Sequence, residues 1–227
     1  DYINIVQMLN LLKIPLYNKQ RSDSVSAENP LVIIGGVATF MNPEPLADFA
    51  DIIFVGEAED GFGEIISFLI SNYKHYSRKS LLTKCTKKFL GCYAPIFYTP
   101  VYGRDKRLES ITVEDGFPST IKKKTLTRSK IAGHSKILTP DTEFSELFLT
   151  EMGRGCSRGC RFCTAGFIFR PPRLWDGDSV ARGLKERFDG IDRVGLLGME
   201  MADKKTLNKI LDYLLKSGCS LSFSSLR

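Results

Sequence analysis

The chain has 227 residues, 43% of them apolar and 26% charged, and a formal net charge of +6. That length holds one large or two small cored domains, and the composition excludes a low-complexity or collagen-like chain. No apolar run nears the roughly 18 residues that span a bilayer, and no secretory leader opens the sequence, so no membrane partner and a reducing, cytoplasmic setting are expected.

Ile5, Met8, Leu9 and Leu12 recur at helical spacing ahead of Pro15, which predicts a short opening helix. PLVIIGG (30–36) is a continuous apolar run closed by two glycines, the pattern of a strand buried on both faces. DIIFVGEAE (51–59) repeats it, and Phe62, Ile65, Ile66, Leu69 and Ile70 mark an amphipathic helix. Together these predict a small parallel α/β domain over residues 1–80.

Residues 81–145 read as a β-rich connector. β-formers flank Gly103-Arg104-Asp105-Lys106, which predicts a hairpin. Lys122, Lys123 and Lys124, with Arg128, Lys130 and Lys136, form a basic cluster of the kind that usually makes a solvated face. Contact with RNA would need aromatic platforms or a clefted basic surface, which sequence alone does not display. His75 and His134 read as surface residues.

Over residues 146–227 strands and helices alternate. LFLTE (147–151) is a strand. Val180, Leu184 and Phe188 share a helical face behind Asp178, a candidate N-cap. RVGLLG (193–198) is a second strand, and Leu207, Ile210, Leu211, Leu214 and Leu215 mark a helix stopped by Gly218. SLSFSSL (220–226) is a third strand. Three strands with two intervening helices are what the start of a β/α barrel looks like. The first residue is not methionine and the last lie within a predicted strand, so a piece of a longer protein is expected.

Half of the six cysteines fall in eight residues: Cys156, Cys160 and Cys163, on the loop after the first of these strands. A structural zinc site wants four ligands, usually as two separated pairs. The remaining candidates (Cys85, Cys92, Cys219, His75 and His134) offer no partner at ligand spacing. Three thiolates on a four-iron cluster would leave one iron open to a substrate or cofactor. Arg154, Arg158 and Arg161 either offset the charge of such a centre or solvate an exposed loop.

The loop resembles the signature of the radical S-adenosylmethionine (SAM) superfamily, C-x3-C-x-aromatic-C, with Phe162 as the aromatic. The resemblance implies a [4Fe-4S] cluster on Cys156, Cys160 and Cys163, with SAM chelated at the open iron. It also implies reductive cleavage of SAM to a 5′-deoxyadenosyl radical acting on an unknown substrate, and an electron donor such as flavodoxin or ferredoxin. Phe162 would contact the adenine region, or else shield the cluster or plug a barrel mouth. Gly198-Met199-Glu200 stands where the family has Gly-Gly-Glu, whose carboxylate receives the SAM amino group; Met199 departs from that pattern, and an ordinary strand-end turn is the other reading. Ser222, Ser224 and Arg227 on the third strand fall near the expected SAM position, Ser224 being the preferred candidate.

Residues 31–60 resemble the later half of the cobalamin-binding-type, Rossmann-like α/β domain that precedes the barrel in many members. The family's Asp-x-His-x-x-Gly motif is absent from this chain but would lie upstream of residue 1, so cobalamin stays open as a cofactor without support from this stretch. The fold class expected is therefore α/β: a partial cobalamin-binding-type parallel-sheet domain, the connector, and the first three β/α units of a radical SAM barrel. A radical methyltransferase or methylthiotransferase acting on RNA or protein is the alternative among enzymes. A non-catalytic zinc or iron–sulfur binding module is the alternative outside them.

Overall fold

The computed structural model describes residues 2–127, 130–199 and 204–224. The chain divides into two compact units, Asp1–Leu126 and Thr127–Arg227. Residues of the expected connector are thus shared between them.

The first unit opens with helix α1 (Tyr2–Leu11). Strand β1 (Ile33–Ile34), helix α2 (Val37–Met41) and strand β2 (Ile52–Phe54) follow, then helices α3 (Phe62–Asn72) and α4 (Arg78–Lys88) and strand β3 (Cys92–Tyr93). Strand β1 pairs parallel with β2, and β3 pairs antiparallel on its other side. The sheet is therefore mixed where a parallel one was expected. β2 is buried throughout because its alternating side chains serve two cores. Ile52 and Phe54 pack with Ile65, Leu69, Leu81 and Leu82 of α3 and α4, and Ile53 packs with Leu9, Val32, Ile34 and Leu46.

Helix α4 was not foreseen. Ser77 caps it, accepting from the Ser80 N–H at 3.3 Å, and Leu81, Leu82 and Cys85 are its buried side among lysines. A buried charge cluster fastens the preceding loop. The Asp51 carboxylate accepts from Arg21 at 3.0 Å, from Arg78 at 2.9 Å and from the Val32 N–H at 2.7 Å. Burial, more than any neighbour, lowers the Arg21 pKa, and Asp51 opposes that shift.

Strands β4 (Tyr98–Tyr102) and β5 (Leu108–Val113) form the expected hairpin, exposed along most of both strands. The chain then returns to the end of β2. The Lys124 N–H donates to the Val55 carbonyl at 3.0 Å, and the Leu126 N–H donates to the Glu57 carboxylate at 2.9 Å. Part of the basic run is thus a strand partner by its backbone.

In the second unit β6 (Phe148–Glu151) is followed by a short ribbon, β7 (Gly153–Arg154) with β8 (Arg173–Leu174), which brackets helix α5 (Ala165–Ile168). Then come α6 (Gly177–Lys185), β9 (Arg193–Leu197), α7 (Lys204–Lys216) and β10 (Ser220–Phe223). Strands β6, β9 and β10 form a parallel sheet in the order β10-β9-β6, so each helix links neighbouring strands. The cap of α6 is Asp176, not Asp178. Its side chain accepts from the Ser179 N–H at 2.8 Å, while Asp178 lies in the first turn and meets Lys209 at 2.6 Å.

His134 is also not the surface residue expected. Residues 133–135 run antiparallel along the outer edge of β6, with the Glu151 N–H donating to the Gly133 carbonyl at 2.8 Å and the Ser135 N–H to the Leu149 carbonyl at 2.9 Å. The His134 ring stacks on Phe148 with centroids 5.7 Å apart, and its Nδ1 faces the Ala132 carbonyl at 2.8 Å. His75 is exposed, as expected.

Candidate functional site

The cysteine loop leaves the carboxyl end of β6, the end at which parallel α/β sheets carry their chemistry. The ribbon β7–β8 and a bond from the Trp175 N–H to the Met152 carbonyl, 2.9 Å, close the loop at its base. Gly155, the residue before the first cysteine, has φ +86°, and a side chain there would collide with the Phe169 carbonyl oxygen. Glycine is therefore required where the loop turns under its own returning arm.

Cys156, Cys160 and Cys163 line one concavity of about 80 Å³ together with Arg158, Phe162, Gly166 and Met199. Cys156 is buried, Cys160 and Cys163 are half-buried, and all three are free thiols. Among the described residues no group of three His, Cys, Asp or Glu side chains gathers round a single metal ion. A cubane cluster does not ask for that, because each thiolate binds its own iron. Three cysteines sharing one concavity fit such a donor set.

Met199 reaches this concavity from the end of β9, so one residue of the second motif stands beside the cysteines. Ser224 joins it, its hydroxyl accepting from the Gly198 N–H at 3.1 Å and facing the Gly198 carbonyl at 3.3 Å. Ser222 is exposed on β10. Glu200 and Arg227 lie outside the described residues. Phe162 lines the concavity but is 89% exposed, so it plugs nothing.

The three arginines part company. Arg158 and Arg161 are exposed, and Arg158 lines the concavity. Arg154 instead binds Glu151, through Nε at 3.1 and 3.2 Å and through a terminal nitrogen at 3.0 Å. The Trp175 indole N–H donates to the same carboxylate at 3.3 Å, and the Arg154 guanidinium lies 5.7 Å from the centre of that ring. Sequence reasoning missed Glu151 and Trp175 altogether. The remaining cysteines lie elsewhere: Cys85 and Cys92 in the core beside β2, and Cys219 buried ahead of β10.

Residues 1–95 match the family described as the N-terminal region of radical SAM proteins. The chain is 25% identical over 234 aligned positions to an uncharacterized protein of Methanocaldococcus jannaschii. That alignment takes in the whole of this chain but 42% of the relative, so the chain spans less than half of that relative's length. No solved structure matches the chain. Among the described residues no helix is long and apolar enough to cross a membrane. The family match covers residues 1–95, less than half of the chain, and ends before the three cysteines of the loop.

Proposed function

We propose that Cys156, Cys160 and Cys163 hold a [4Fe-4S] cluster and that the chain is part of a radical SAM enzyme. The observation that carries this is the single concavity lined by the three cysteines and by Met199 from the neighbouring strand end. A bound cluster with one iron left open supplies the electron that cleaves SAM reductively, and a flavodoxin or ferredoxin would renew it. The chain's own work is to hold, orient and exclude water. The ribbon β7–β8 fixes the loop's base, and Ser224 keeps the Gly198 peptide at the edge of the site. Glu200 is assigned to the SAM amino group and Phe162 to the adenine side.

In this reading residues 146–227 are the first three β/α units of the barrel, because β6, β9 and β10 are neighbours in chain order. Residues 1–80 are a Rossmann-like domain of cobalamin-binding type, in which no residue present argues for bound cobalamin, with residues 81–145 as the connector. Anaerobic reconstitution with iron and sulfide tests the central claim. About four irons and four sulfides per chain, with broad absorption near 400 nm, are expected. A single zinc bound without sulfide would replace the enzyme with a non-catalytic metal module.

A further inference from the structure

Acidic residues are absent from a long stretch of the first unit. Between Glu64 and Asp105 there is no aspartate or glutamate, while Lys74, Arg78, Lys79, Lys84, Lys87 and Lys88 fall within fifteen residues. Arg78 is committed to Asp51, and Lys79 lies 3.8 Å from Glu114. Each of the other four stands over an aromatic ring: Lys74 over Tyr73, Lys84 over Tyr76 at 4.6 Å, Lys87 over Phe117 at 4.7 Å, and Lys88 between Phe68 and Phe89 at 5.3 and 5.1 Å. Among the described residues none of these four has a carboxylate partner.

Lys84, Lys87 and Lys88 are three and four residues apart on α4, so they crowd one face and repel one another. The helix dipole accounts for lysines in the last turn. It does not account for Lys84, nor for Lys122 arriving from another segment. Lys87, Lys88 and Lys122 rim an open groove of about 330 Å³ floored by Phe89, Leu90 and Pro118, with Leu90 52% exposed. Here the structure supplies the clefted basic surface that the sequence did not display, with one aromatic side chain, Phe89, in its lining.

We propose that this groove binds single-stranded RNA. Its volume accommodates a nucleotide-sized group, the apolar floor suits a base, and the cationic rim suits the adjoining phosphates. An acidic peptide would match the rim and leave the floor exposed. A duplex could not insert a base, whereas an unpaired strand can. The inference rests on the first unit alone and not on the cysteine loop, so either can fail without the other.

The test is fluorescence anisotropy of a labelled oligouridylate of about 12 nucleotides with the 227-residue chain, repeated across salt concentrations. Three or four phosphate contacts predict a log–log salt slope of about −2 to −3. Replacing Lys84, Lys87 and Lys88 together by Gln should weaken binding at least about ten-fold at low salt and flatten the slope by about 2. Replacing the same three by Arg should preserve binding, which separates charge from fold. Lys106→Gln with Arg107→Gln in the hairpin should change nothing. Undetectable binding, full retention by the Gln variant, or displacement by polyglutamate as effective as by unlabelled oligouridylate would each overturn the proposal.

Discussion

Glu151 and Arg154 face each other across the end of β6, with three contacts of 3.0–3.2 Å between carboxylate and guanidinium. The pairing removes Arg154 from the charges available to a metal centre and gives it mechanical work. Glu151 ends the strand, Arg154 lies in the ribbon's outgoing strand, and Trp175 follows the loop's return. One carboxylate therefore ties both ends of the cysteine loop. Gly133 permits this, since a side chain there would come within 2.8 Å of the Glu151 carboxylate oxygen.

Glu151→Gln should loosen that base without unfolding the sheet. The pair is mostly shielded, with side chains 27% and 13% exposed, so a loss of about 1–2 kcal/mol is expected. Hydrogen exchange should quicken at Gly153, Arg154 and Leu174 and stay unchanged at Val194 and Leu196. Exchange unaltered in the ribbon would show that the pair clamps nothing.

Cluster binding should require the three loop cysteines and no others. Cys156→Ala, Cys160→Ala and Cys163→Ala should each abolish absorption near 400 nm after reconstitution, a region of about the expected thiolate-to-iron charge transfer. Cys85→Ala, Cys92→Ala and Cys219→Ala should keep it. The first two lie in the first unit's core and the third ahead of β10, so their effect should be on stability. Loss of the cluster in any of these three would refute three-thiolate ligation.

The elements legible in sequence are those whose own residues decide them. Ile52-Ile53-Phe54 is apolar at every position because β2 is buried on both faces, and the α7 leucines keep helical spacing. Helix α4 escaped notice because lysines interrupt Leu81, Leu82 and Cys85, leaving little periodic contrast. Residues 133–135 have no strand propensity; bonds to a partner make them an edge strand. The site divides the same way. Candidate ligands within one loop announce themselves by spacing, whereas Glu151, Arg154 and Trp175 meet through folding and share no pattern.

Asp51→Asn should be among the most damaging single changes in the first unit. It removes the countercharge from two buried guanidinium groups, a loss of about 3–5 kcal/mol in comparable buried pairs. Urea unfolding should show a markedly lower midpoint, and the second unit's cluster absorption should survive in mild conditions. A shift within about 0.5 kcal/mol, the range of ordinary surface changes, would contradict the clamp.

The α6 cap should make stability depend on acid pH. Asp176 has its pKa lowered below the ordinary aspartate value, first by the Ser179 hydroxyl and then by the Ser179 backbone N–H. A depressed carboxylate contributes stability that is full above its unfolded pKa and is lost as pH falls through its folded one. Asp176→Ala should therefore cost about 1 kcal/mol near neutrality. That difference should shrink below pH 3.8 and level off at the smaller contribution of a neutral cap. A difference constant down to strong acid would mean that the side chain does not cap as a carboxylate.

The assignment of Glu200 to SAM makes the sharpest claim about affinity. Glu200 follows Met199, which lines the cysteine concavity, and Gly198, which Ser224 holds in place. A carboxylate accepting from an ammonium group makes a charge-assisted hydrogen bond of about 1.5–3 kcal/mol where water is partly excluded. Glu200→Gln keeps the shape and one acceptor but loses the charge, so SAM should bind about ten- to a hundred-fold more weakly. Ser224→Ala acts only through the Gly198 peptide, a neutral bond of about 0.5–1.5 kcal/mol, and should weaken binding by about ten-fold at most. Neither change should alter iron content, since neither residue is a proposed ligand. Calorimetric titration of SAM into the reconstituted protein separates the two effects. Affinity equal to wild type in Glu200→Gln would leave Gly198-Met199-Glu200 a strand-end turn, and SAM would have to be held from elsewhere around the loop.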